Sequence, residues 1–85
     1  MEFGKPELIE RKVIQSSIGT MKDHIEDFVF KNNCPLYEDL IKEIEKLTGY
    51  KTVPKEMAEW LECTTELIST TKDEIIIRFT IPYCD

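Results

Sequence analysis

No run of apolar residues in this 85-residue chain approaches the roughly 18 that a membrane span requires. The N-terminus also lacks the basic-then-apolar pattern of a secretory leader. These two absences lead to the expectation of a cytoplasmic protein with no membrane partner. Glycine is scarce: Gly4, Gly19 and Gly49 build neither G-x-G-x-x-G nor the G-x-x-x-x-G-K phosphate cradle, so a nucleotide cofactor is not expected. G-x-S-x-G and H-E-x-x-H are missing as well.

Cysteine is sparse and scattered. Cys34, Cys63 and Cys84 are odd in number and none sits in a C-x-x-C pair, which fits reduced, apolar thiols better than a secreted disulfide framework or a zinc site. A bridge between Cys63 and Cys84 stays open as the one alternative. The only histidine, His24, has Asp23 and Asp27 near it as orienting carboxylates, yet no motif places a nucleophile beside it. It reads as a surface histidine among acids. The expectation is therefore no enzyme, no metal and no cofactor.

Basic charge is in short supply. Eleven Lys and Arg against seventeen Asp and Glu leave a net charge of -6, which repels phosphate backbones and argues against direct nucleic-acid binding. The same charge suits a protein partner with a basic surface, including a nucleic-acid-binding protein whose groove an acidic mimic would block. Nine Lys against two Arg, eleven Ile and a single Ala indicate an AT-rich coding sequence, as in low-GC bacteria and their phages.

What remains is an ordinary globular composition, 41% hydrophobic, without repeats or Gly/Ser linkers, and it predicts a single domain spanning 1–85. Pro6 with Glu7 and Glu10 can open a helix, and Ile14, Ile18, Met21, Ile25 and Phe28 recur at helical spacing. One long helix over about 6–31 follows, although Gly19 and Thr20 interrupt it and leave residues 8–18 open to a strand or separate helix. A second helix starts at Pro35 and stops at Gly49, with Leu36, Leu40, Ile41, Ile44 and Leu47 on one face. A third opens at Pro54 and ends near Glu62.

From Thr64 the composition favours a strand, and Ile75, Ile77, Phe79 and Ile81 alternate along another. A turn at Lys72 and Asp73 would set Ile68 opposite Ile77 and Thr70 opposite Ile75. The expected class is α+β, two to three helices packed on a C-terminal antiparallel β-hairpin.

Two surfaces stand out for binding. On a helix running from 54 into the sixties, Glu56, Glu59, Glu62 and Glu66 would form an acidic ridge beside Trp60, a dock for Lys and Arg on a partner. The stripe Ile14, Ile18, Met21, Ile25 and Phe28, or an edge strand, could join two copies in a homodimer. The favoured function is a small acidic interaction module that regulates or inhibits a protein partner, such as a phage or mobile-element accessory (anti-defence) protein. The alternatives are a homo-oligomeric structural domain and, as an outsider, a metal protein or enzyme using His24 and the cysteines.

Overall fold

Ile75, Ile76, Ile77, Phe79 and Ile81 are β-branched or aromatic, and such side chains crowd a helical turn but fit a pleated strand. The computed structural model, which describes residues 4–17, 19, 21–33 and 36–83, places them on the central strand of a five-stranded sheet. In chain order the strands are β1 (Leu8–Gln15), β2 (His24–Lys31), β3 (Val53–Pro54), β4 (Thr64–Thr70) and β5 (Glu74–Ile81). Across the sheet the order is β1-β2-β5-β4-β3. One helix, α1 (Tyr37–Thr48), follows β2, and a 3-10 turn covers Lys55–Met57. β5 is antiparallel to both β2 and β4, so those two run parallel and α1 lies in the crossover between them.

This mixed sheet with a single 12-residue helix overturns the expected two to three helices on a hairpin. The segment read as a helix over 6–31 is instead the antiparallel pair β1 and β2. Its stripe of apolar residues spans two strands and the loop joining them. Ile14 is the last residue but one of β1 and Ile25 the second of β2, while Met21 lies in the loop at φ 55° near Gly19 at φ 74°. The Gly19 interruption is thus where the chain reverses, a place for left-handed backbone rather than for a helix. The third expected helix is also absent: Pro54 belongs to β3, and Trp60 and Leu61 form a turn.

The second helix is where its sequence placed it. Gly49, left-handed at φ 79°, donates its N–H to the Glu45 carbonyl at 2.8 Å and closes the C-terminus. Glu38 and Asp39 in the first turn and Lys46 in the last oppose the helix dipole favourably. Pro35 lies outside the described residues.

Alternation along β5 sends Ile75, Ile77 and Phe79 to one face, where they meet Phe28 and Phe30 of β2 and Leu40 and Ile44 of α1. All seven are buried, and Phe28 meets Phe79 edge to face with centroids 6.1 Å apart. The opposite face carries a row of alternating charge. The register sets Lys12 of β1 opposite Asp27 of β2, Asp27 opposite Arg78 of β5, and Arg78 opposite Glu66 of β4. Arg78 grips Asp27 with two hydrogen bonds, of 2.9 and 3.1 Å, and Lys55 lies 3.6 Å from Glu66.

In the hairpin β4–β5, Thr70 pairs with Ile75, but Ile77 faces Leu67, not Ile68. A bulge at Ile68 absorbs one residue and displaces the expected partner. No helix among the described residues is long and apolar enough to cross a membrane.

Because β5 and β2 supply the core, Phe79→Ala should cost about 3–5 kcal/mol, whereas Ile14→Ala, on an exposed edge, should stay within about 0.5 kcal/mol. Urea unfolding checks both. Equal losses at the two positions would contradict the strand assignment of residues 8–31.

Candidate interaction surface

Between β3 and β4 the chain leaves the sheet, and the 3-10 turn Lys55–Met57 leads into a tight reversal at Trp60 and Leu61. The reversal is closed by the Glu62 N–H donating to the Glu59 carbonyl at 3.4 Å. A second tie comes from the Glu59 N–H, which donates to Glu62 Oε1 at 2.9 Å. Leu61 holds φ 67°, a left-handed conformation that a branched-chain residue adopts only at a cost of about 1–2 kcal/mol. The outcome is exposure of large side chains at the tip: Trp60 is 88% exposed and Met57 72%. A tryptophan rarely stands so far out of an isolated domain, and tryptophan is the residue that most often anchors an interface.

The reversal overhangs the charged face of the sheet. A half-open hollow of about 380 Å³ lies between Trp60 and Leu61 on one side and Ile25, Thr80 and Pro82 on the other, with Arg78 in its wall. Glu59 and Glu62 share that wall. Glu66 sits on β4 in the charged row, and its ion pair with Lys55 reaches back to the base of the turn. Glu56 stands on the other side, where with Glu66 it borders a second hollow beside Tyr37. Burial pushes the Tyr37 phenol above its ordinary value, and the charges of Glu56 and Glu66 push it further the same way.

Glu56, Glu59, Glu62 and Glu66 therefore do not advance along one helix. A 3-10 turn, a reversal and a strand carry them: Glu59 and Glu62 share the hollow with Trp60, whereas Glu56 and Glu66 border the hollow beside Tyr37. Met57 and Leu61, which the sequence reading passed over, join Trp60 because the chain turns there. A left-handed non-glycine residue leaves no mark in the sequence that would have revealed it.

His24 lies on the helix-covered side of the sheet, at the end of β2. Its Nε2 is 3.3 Å from Oε1 of Glu26, and the other oxygen of Glu26 pairs with Nε of Arg11. Arg11 also lies over the Phe28 ring, 4.8 Å from its centroid. Burial would raise the Glu26 carboxyl, yet hydrogen bonds from Arg11 and His24, helped by their charges, hold it below its ordinary value. Ser16, Ser17, Tyr50 and Tyr83 line an open hollow with His24. The Arg11–Glu26 pair was invisible in the sequence because only strand register brings residues fifteen apart together.

The proposed self-association stripe is dispersed. Phe28 is fully buried in the core, Ile25 is half-buried on the charged face, and Ile14 and Met21 are exposed on a strand and a loop. Ile18 lies outside the described residues, as do Cys34 and Cys84. Burial raises the Cys63 thiol above its ordinary value, which disfavours the thiolate. Among the described residues no three His, Cys, Asp or Glu side chains gather as metal ligands. No family model, curated protein or solved structure matches this chain.

Two measurements test these geometries. Leu61→Gly should leave stability unchanged or raise it by up to about 1 kcal/mol, since it relieves the left-handed backbone; a loss above about 1 kcal/mol would contradict the strain. Glu26, with its folded-state value held below the ordinary 4.5, contributes stability that is complete above that pH and lost as acid titrates the folded carboxyl. Wild-type urea midpoints should therefore fall as pH drops below about 4.5, and Glu26→Gln should flatten that fall while lowering stability at neutral pH by about 1–2 kcal/mol.

Proposed function

We propose that this protein is a non-enzymatic interaction module that regulates or inhibits a protein partner through the Trp60 turn. The single observation that supports this most is the 88% exposure of Trp60 at the tip of a strained reversal, with Glu59 and Glu62 beside it and Glu56 at its base. An exposed aromatic with carboxylates beside it fits a partner that offers an apolar pocket rimmed with Lys and Arg. The aromatic supplies affinity on burial, and the charges steer the encounter. Strain at Leu61 supports the same reading, because a conformation that weakens the free fold persists when the surface it presents is useful.

A net charge of -6 extends the complementarity beyond the turn. A partner whose basic groove ordinarily holds nucleic acid would be inhibited by competition, since the carboxylates would occupy the place of phosphates. An accessory protein of a phage or mobile element would act in this way on a host defence protein.

Affinity capture from the native cell should recover a stoichiometric protein partner. Trp60→Ala should weaken that complex by about 2 kcal/mol or more without changing stability appreciably, because an exposed side chain contributes little to the fold. Combined reversal E56K/E59K/E62K should slow association and abolish its salt dependence. Capture that is indifferent to both substitutions would remove the Trp60 turn as the binding surface.

A further inference from the structure

The two outer edges of the sheet differ. One edge is β3, two residues long and ending in Pro54, which has no N–H to offer a further strand. The other is β1, eight residues long, whose outer side has no neighbour in the sheet among the described residues. Between its two bulges β1 runs regularly from Glu10 to Val13. Val13, the last residue of this stretch, is 58% exposed, and Ile9, the bulged residue just before it, is 53% exposed.

Residues 9–13 read Ile-Glu-Arg-Lys-Val, and this order is self-complementary about Arg11. If a second copy lies antiparallel along the edge with Arg11 on the two-fold axis, Ile9 of each chain meets Val13 of the other. Glu10 of each then meets Lys12 of the other, giving two apolar pairs and two ion pairs. The faces agree with this register. Glu10 and Lys12 oppose Val29 and Asp27 and so share the charged face, while Val13 opposes Glu26 on the helix-covered face.

We propose that a second copy of this chain pairs antiparallel with β1, centred on Arg11, to form a homodimer with one continuous ten-stranded sheet. The charged row carries the argument. Across one chain it runs Glu66, Arg78, Asp27, Lys12 with strictly alternating sign, and it stops at the edge on a lysine. Glu10 of the second copy is the next charge of the sequence, opposite in sign to that lysine, and it closes the row, since within its own chain Glu10 faces Val29. The two arginines at the axis do not oppose this arrangement, since each is neutralised by Glu26 of its own chain and drawn inward over Phe28.

The charge pattern makes the proposal testable by mixing. Sedimentation velocity of the wild-type protein from micromolar to millimolar concentration should show a reversible dimer. E10K places lysines against lysines across the axis and K12E places glutamates against glutamates, so each variant alone should dimerise at least about tenfold more weakly. An equimolar mixture of E10K and K12E restores both ion pairs and should form a heterodimer close to wild-type affinity.

In a dilution series of the unmodified protein, amide resonances of residues 9–13 should shift with concentration while those of the Trp60 turn stay fixed. That measurement requires no variant to fold. A wild-type chain that remains monomeric throughout would overturn the proposal. So would single reversals that dimerise like wild type, a mixture that does not associate, or concentration-dependent shifts confined to the Trp60 turn.

Discussion

The pairing of β2 with β5 is the constraint on which the rest of the molecule depends. It is unbroken over all eight residues of each strand, from His24 with Ile81 to Lys31 with Glu74. On one face it stacks Phe28 on Ile77 and Phe30 on Ile75 under the helix; on the other it locks Asp27 to Arg78. A slip of one residue would carry Phe28 and Phe30 to the charged face and drive Asp27 into the core, so both faces enforce one register. The bulges lie in the pairs that flank this central one, β1 with β2 and β4 with β5.

With the centre occupied by packing, the features available for contact lie at the periphery. The turn carrying Trp60 is an excursion from a sheet edge too short to interfere with pairing, and its backbone tolerates the left-handed Leu61 because nothing in the core rests on it. At the opposite edge, β1 presents backbone and a self-complementary side-chain order. On the readings proposed above, one surface would take a foreign partner and the other a second copy.

How far the sequence could be read differs by element, and in each case for a physical reason. α1 was legible because its information is local: apolar residues three and four apart, acids in the first turn and Gly49 at the left-handed stop. β5 was legible because one face is apolar and the other mixed, which leaves period-two alternation intact. β2 hid that period by being buried on both faces, with Glu26, Asp27, Phe28, Val29 and Phe30 all covered. Its apolar residues then aligned across the hairpin loop with Ile14 and Met21 into a spurious helical stripe. The acidic ridge was misread similarly, since Glu56, Glu59, Glu62 and Glu66 keep helical spacing although a 3-10 turn, a reversal and a strand carry them.

The sequence by itself determined the net negative charge, the absence of a motif for catalysis, the helix at Tyr37–Thr48 and the strand character of the last residues. Each of these depends on composition or on neighbours within a few positions, where propensity and periodicity act. Tertiary structure alone decided that residues 8–15 and 24–31 are strands, that Arg11 meets Glu26 and that charges alternate across the sheet from Lys12 to Glu66. It also decided that Trp60 stands in solvent instead of half-buried against a core. These outcomes depend on which strand lies beside which. Strand pairing is a long-range choice, made by the burial of the whole sheet and not by any one segment.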